Sequence, residues 1–158
     1  MDQHKDQRIN IDEQPGHYIR RLQQIAVAIF LQETQAYGIT PVQYAALQTI
    51  ANSPSIDQRT LARSIGLDTS TIAGVVERLE ARALLVRKPS PQDKRARQLR
   101  LTDAAHQLLA DALPSILHAQ KLMLDPLSAA DRKEFTRLLQ TLVTKNNSLS
   151  RAPTDADD

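Results

Sequence analysis

The stretch from Asp57 to Leu101 narrows the possible folds more than any other part of the chain. It opens with a short helical run over about Gln58 to Ile65, with Leu61 and Ile65 pointing inward and Asp57 as candidate N-cap. Gly66-Leu67-Asp68 leaves room only for a tight turn, with Gly66 as the helix stop. A second run follows from about Thr69 to Arg82, its Ile72, Val75, Val76 and Leu79 falling within about 100° of helical arc. Then the period changes. Leu84–Lys88 and Gln98–Leu101 alternate, and Pro89-Ser90-Pro91-Gln92-Asp93 breaks the chain between them, which predicts a hairpin with a polar tip. The reading is helix, tight turn, helix, hairpin, on one shared core.

Further helices flank this unit. Ile19, Leu22, Ile25, Ala26, Ile29 and Phe30 predict a helix from Tyr18 to about Tyr37, entered after the Pro15-Gly16 breaker and stopped at Gly38. Thr40 as N-cap, Pro41 at the first helical position and Gln43 closing a capping box start a second helix carrying Tyr44, Leu47 and Ile50. Thr102 caps a fifth helix running to about Leu124, which Pro114 should kink, and Ser128 caps a sixth through Phe135, Leu138, Leu142 and Val143. In the fifth helix Leu109, Leu113, Ile116, Gln120, Met123 and Leu127 fall at alternating spacings of 4 and 3, the pattern of a partner-facing seam. The expected division is a flexible arm at 1–14, a helical dimerisation region at 15–38 and 102–147, the helix-turn-helix and hairpin unit at 39–101, and a disordered acidic tail at 148–158. The fold class is mainly α with one small β-hairpin.

Composition excludes several functions. With 3% aromatic residues and no Trp, the core must be aliphatic, which suits packed helices. No cysteine is present, so disulfides, Cys-ligated zinc, iron–sulfur clusters and thiol redox sensing are ruled out. No apolar run approaches the roughly 18 residues of a membrane span, and Met1–Asp6 lacks a signal-peptide core, so a cytoplasmic protein is expected. The net charge of +2 is unevenly spread: residues 40–101 hold ten Lys and Arg against five Asp and Glu. Within Arg82–Arg100, seven cations face the single anion Asp93, which points to a polyanionic partner or, more blandly, to a solvated basic surface.

The Thr69–Arg82 helix decides between these. Opposite its apolar stripe lie Ser70, Ala73, Gly74, Glu77 and Ala81, with Thr71 and Arg78 flanking, where an ordinary surface helix carries Lys and Glu. Small residues let a backbone sink into the DNA major groove, hydroxyls such as those of Thr69, Ser70 and Thr71 bond phosphates or base edges, and the helix N-terminus favours phosphate. Gly74 is worse than Ala by about 1 kcal/mol in mid-helix, so close approach to the groove, or else tight helix packing, must compensate. Arg87, Lys88, Lys94, Arg95 and Arg97 place cations along both hairpin strands and the tip, suited to phosphates and a narrow minor groove. A helix-turn-helix followed by a basic hairpin is a winged helix, and double-stranded DNA is the expected partner. A winged helix used only for protein contacts would leave the cations with no phosphate to meet.

The motifs resemble those of the MarR family of multiple-antibiotic-resistance-type regulators. Ile39-Thr40-Pro41-Val42-Gln43-Tyr44-Ala45-Ala46-Leu47 is similar to its second-helix signature, and Thr71–Glu80 to its recognition helix. Asp93-Lys94-Arg95 running into Leu99-Arg100-Leu101-Thr102 resembles its wing signature, and the likeness covers roughly residues 18–144. The resemblance implies a homodimer on a palindromic operator, a repressor released by a small ligand, Arg95 in the minor groove and Asp93 orienting the wing. It departs at Ala83, where the family usually has Gly, which leaves room for a turn built differently here.

An effector site is expected where the first, second and fifth helices meet the winged unit, with Tyr18, Arg21, Tyr44 and His118 as candidates: Arg can clamp a carboxylate and Tyr can donate to it. Ile19-Arg20-Arg21-Leu22-Gln23-Gln24-Ile25 resembles family members that control aromatic-acid catabolism, so an aromatic carboxylate or its coenzyme A thioester is the expected effector. Antibiotics, phenols or no effector are the alternatives. No catalytic set, metal site or cofactor is expected, because the four histidines form no i,i+4 pair and the four glycines no phosphate loop.

Overall fold

The computed structural model describes residues 9–154. Helix α1 (Pro15–Glu33) leads through a 3₁₀ turn (Gln35–Tyr37) into α2 (Pro41–Asn52), α3 (Gln58–Ser64) and α4 (Thr69–Ala81). Strands β1 (Leu85–Pro89) and β2 (Arg97–Leu101) form an antiparallel hairpin with Leu85 opposite Leu101 and Pro89 opposite Arg97. Helices α5 (Asp103–Leu124) and α6 (Ala129–Lys145) complete the chain, with a final 3₁₀ turn at Asn147–Leu149. Among the described residues no helix is long and apolar enough to cross a membrane.

The caps fall where the sequence places them, because capping chemistry is local. Thr40 and Gln43 form a reciprocal capping box, and the side chains of Asp57, Thr102 and Ser128 accept from Thr60, Ala105 and Asp131 N–H. Burial works against the charge on Asp57, yet hydrogen bonds from Thr60 outweigh it and hold its carboxyl below the ordinary range. Asp68, not foreseen as a cap, accepts from Thr71 N–H at 2.6 Å and starts α4.

Elsewhere the boundaries move. Helix α1 begins at Pro15, earlier than expected, because Asn10 caps a 3₁₀ turn at Ile11–Glu13 that feeds straight into it. It ends at Glu33, because the Thr34 hydroxyl donates to the Phe30 carbonyl at 2.7 Å and turns the chain. The expected arm at 1–14 thus loses its last residues to structure, while residues 1–8 lie outside the described ones. Helix α5 runs unbroken through Pro114.

An aliphatic core joins the winged unit to the helices. Leu47 and Ile50 of α2, Leu61 of α3, Ile72, Val76 and Leu79 of α4 and Leu85 and Leu99 of the hairpin are all buried, along with Ala105, Leu109, Ala112 and Ile116 of α5. The seam expected in α5 is therefore split. Leu109 and Ile116 fill the chain's own core against α1, whereas Leu113 and Leu117 stand 45% and 60% exposed. A 4–3 spacing identifies a buried face but does not say which partner buries it. Helix α6 buries none of its residues, and Leu138, Leu139, Leu142 and Val143 are exposed.

The joint after α4 is a Schellman turn. Leu84 N–H donates to the Leu79 carbonyl at 3.0 Å and Ala83 N–H to the Glu80 carbonyl at 2.9 Å, with Ala83 left-handed at φ 56°. The turn is therefore built in the ordinary way with an alanine where glycine is favoured. The Thr102 hydroxyl donates to the Ala83 carbonyl at 2.7 Å, and both flanking leucines, Leu79 and Leu84, are buried. A left-handed non-glycine residue costs about 1–2 kcal/mol. Ala83→Gly should accordingly stabilise the protein by about 1 kcal/mol and raise Tm by about 2–4 °C. A thermal melt in which Tm falls would show that the Ala83 methyl contributes more than its strain costs.

Candidate nucleic-acid interface

Helix α4 is held by one side only. Ile72, Val75, Val76 and Leu79 are buried, while Thr69, Ser70, Thr71, Glu77 and Arg78 are exposed. Gly74 is half-buried, and the atoms nearest to a Cβ built there are those of the Arg78 guanidinium, 3.5 Å away. No core side chain comes closer than this flexible one, so tight helix packing is not what requires this glycine. Its missing side chain lets Arg78, one turn later, lie back along the outer face of the helix.

The hairpin tip is ordered by Asp93. Its carboxylate accepts from Arg95 N–H at 2.9 Å and its carbonyl from Ala96 N–H at 3.0 Å. Ser90 N–H closes the loop on the Ala96 carbonyl at 3.0 Å. Lys88, Lys94, Arg95 and Arg97 are exposed, and the Lys88 position on β1 faces Gln98 on β2. The hairpin is anchored to the body by a pairing the sequence did not reveal: Leu99 N–H donates to the Ile56 carbonyl at 2.9 Å, and Asp57 bridges Gln98.

Between wing and helices lies an open cleft of about 610 Å³. Thr69, Asp93, Arg95 and Arg97 line it together with Arg59 and Arg63 of α3, Arg87 of β1 and the α3 cap Asp57. Ser70, Thr71, Gly74, Arg78, Lys88 and Lys94 lie outside its lining. The α3 arginines were missed because, in sequence, they read as ordinary surface cations of a short helix. Arg87 departs from the expected row of phosphate-facing cations. Its guanidinium binds Glu80 in a fork, Nε to Oε2 at 3.2 Å and Nη2 to Oε1 at 2.9 Å. Those hydrogen bonds hold the Glu80 carboxyl below its ordinary range and raise Arg87. Both groups are about one-third exposed, so the pair adds little stability but satisfies much of the Arg87 charge.

The four effector candidates do not share one site. Tyr18 and Arg21 line an apolar groove of about 530 Å³ between α1 and α6, whose walls include Ile19, Leu22, Ile25, Phe135, Leu138 and Leu142. Tyr44 is half-buried, its ring centroid 6.0 Å from that of Phe30. His118 Nδ1 stands 2.8 Å from Glu33 Oε2, joining α5 to α1. Glu33 as the histidine's partner was not foreseen, since the two are far apart in sequence. Among the described residues no cluster of His, Asp or Glu could hold a metal ion.

Comparison with known proteins places this arrangement. Residues 39–96, which span the second helix through the wing tip, match the MarR family. The chain is 31% identical to the HTH-type transcriptional repressor NicR of Pseudomonas putida over 85% of each chain. It is 35% identical to the solved PcaV transcriptional regulator from Streptomyces coelicolor, crystallised with its natural ligand, over 85% of this chain and 95% of that one, with a TM-score of 0.78. It is 28% identical to BpsR of Bordetella bronchiseptica, whose DNA binding is regulated by 6-hydroxynicotinic acid, over 85% and 96% of the two chains, with a TM-score of 0.81. With the helix-turn-helix, the basic wing and these relatives in agreement, the chain belongs to the MarR family of winged-helix transcriptional regulators, DNA-binding proteins and not enzymes.

Proposed function

We propose that this protein is a homodimeric repressor that binds a palindromic operator and is released from it by an aromatic carboxylate or its coenzyme A thioester. The observation that carries the DNA part is the one-sided burial of α4 beside a wing whose cations stand exposed. Thr69, Ser70, Thr71, Gly74 and Arg78 meet the major groove, and Lys88, Lys94, Arg95 and Arg97, on a tip that Asp93 orients, form the wing's contact with the minor groove and phosphates. Such a protein works in the cytoplasm, where its operator is.

Dimerisation is supported by apolar surface the chain leaves open outside the groove between α1 and α6: Leu31 on α1, Leu113 and Leu117 on α5, and Val143 on α6. Residues 15–38 and 102–147 form the dimerisation region and 39–101 the DNA-binding unit. Two-fold symmetry of the protein then matches a two-fold symmetric operator. The effector reading is supported by Arg21 and Tyr18 in the lining of an apolar groove, and by BpsR, whose DNA binding is regulated by 6-hydroxynicotinic acid. A ring fits the aliphatic walls and Arg21 takes the carboxylate.

Three outcomes follow. Gly74→Leu should keep or gain stability, by up to about 1 kcal/mol, since only a flexible arginine needs to move. The same variant should lose specific duplex binding; thermal melting and fluorescence anisotropy read the two effects, and a destabilised variant would return Gly74 to a packing role. Arg95→Ala should weaken duplex binding and reduce the salt slope by about two per dimer, one for each wing. A salt titration with unchanged affinity and slope would remove the wing from the interface. Benzoate- and cinnamate-type acids, free and as thioesters, should weaken operator binding by about 1–3 kcal/mol, an effect lost in Arg21→Ala. If none of them weakens binding, the effector class fails while the DNA reading stands.

A further inference from the structure

After α6 the chain returns to the turn between α3 and α4. Asn147 clasps Thr154: Thr154 N–H donates to Asn147 Oδ1 at 2.8 Å, and Asn147 Nδ2 donates to the Thr154 carbonyl at 2.7 Å. Inside that loop Ala152 N–H donates to the Ser150 hydroxyl oxygen at 3.1 Å, and Ser150 N–H to the Asn147 carbonyl at 3.0 Å. The backbone on both sides of Arg151 is therefore fixed. Residues 148–154, expected as part of a disordered tail at 148–158, are held in this strap, and residues 155–158 lie outside the described ones. The Ala152 carbonyl oxygen and the Thr154 methyl each stand 3.6 Å from where a Cβ on Gly66 would be, which seats the strap on the helix-turn-helix turn. Gly66 lies two residues before Asp68, the N-cap of α4. Asp68 brings a carboxylate to the end of the helix that carries the exposed Thr69, Ser70 and Thr71. The helix has no cation of its own there, since Arg78, past its middle, is its first. Hydrogen bonds from Thr71 hold the Asp68 carboxyl below its ordinary range, and the charge of the exposed Arg151 adds to that effect.

We propose that Arg151 is a DNA contact supplied from outside the winged unit: the strap holds it beside the first turn of α4, where it binds a backbone phosphate flanking the bases that α4 meets. The inference rests on the DNA interface proposed above. A helix that enters the major groove by its N-terminal end brings the phosphates bordering the groove towards its cap. The Asp68 carboxylate repels them, and Arg151 cancels that repulsion and offers the phosphate two parallel N–H donors. Asn147 is a positioning residue. It touches no DNA, but a strap already ordered lets Arg151 bind without the entropic cost of fixing a loose segment. A phosphate contact carries no base information, so Arg151 strengthens binding to every duplex by one common factor.

The test measures anisotropy of the full-length proteins on an operator duplex and on an unrelated duplex across a salt series. Arg151→Gln should weaken binding to both about ten- to thirtyfold at about 50 mM salt and lower the salt slope by about two per dimer, one phosphate for each protomer. Asn147→Ala removes no charge but frees the strap, so it should weaken binding to both duplexes in the same salt-dependent way. The double variant should bind no more weakly than Arg151→Gln, since both changes act on one contact. Asp68→Asn keeps a capping side chain and removes the carboxylate, and the Arg151→Gln loss should persist in that background. Unchanged affinity and slope in Arg151→Gln overturn the proposal. So does a loss that vanishes in the Asp68→Asn background, because the arginine then serves only the cap. A loss that Asn147→Ala does not share overturns it too, because the strap then does not place the arginine. Arg95→Ala measured in parallel reports on the interface itself. A slope change there without one in Arg151→Gln rejects the Arg151 contact and keeps the interface, and no change in either rejects both.

Discussion

Thr102 sits where the reading helix meets the rest of the protein, and its hydroxyl does two tasks. It accepts from Ala105 N–H at 3.2 Å, starting α5, and donates to the Ala83 carbonyl at 2.7 Å, closing the turn that ends α4. Thr102 N–H also donates to the Leu84 carbonyl at 3.1 Å. A second tie lies close by. Arg82, the last residue of the α4 turn, donates to the Gly38 carbonyl at 2.7 Å and to the Tyr37 carbonyl at 3.0 Å. Tyr37 in turn donates through its hydroxyl to the Asp111 carbonyl of α5 at 2.9 Å. The C-terminal end of α4 is therefore bonded to α5 and to the link between α1 and α2. Its N-terminal end carries the exposed Thr69, Ser70 and Thr71.

Charge is arranged around that geometry. The Arg87–Glu80 fork ties β1 to α4, so Arg87 of the cleft is engaged in structure. The wing tip depends on Asp93, whose carboxylate serves the backbone of the turn. An acidic residue inside a basic patch is thus not a flaw in the patch but the reason its tip has a shape. The open apolar faces of α1, α5 and α6 lie in the helices outside the winged unit, which separates the proposed reading surface from the proposed pairing surface.

Local chemistry made much of this legible in the sequence. Thr40, Asp57, Thr102 and Ser128 could be read as caps because a cap needs only the next few residues. The α4 stripe and the hairpin's change of period gave the winged helix for the same reason. Contacts between distant residues were not legible. Nothing near Arg87 says that Glu80 will bind it, and nothing near His118 names Glu33. The alternating leucines of α5 carried the burial of Leu109 and Ile116 but not the exposure of Leu113 and Leu117, since periodicity counts faces and not partners. Of the proposed DNA residues, Thr69, Asp93, Arg95 and Arg97 share one cleft, but Arg59 and Arg63 join it only through the packing of α3 on α4 and the wing.

The account's central claim is that each protomer lays one helix and one wing on DNA, and that two protomers do so about a two-fold axis. Hydroxyl-radical footprinting of the intact protein on a selected operator tests this most directly. The account predicts two symmetric protected regions centred about one helical turn, or a small multiple of it, apart, each with a flanking minor-groove patch that Arg95→Ala selectively exposes. A single asymmetric protected region, or flanks indifferent to Arg95, would contradict it.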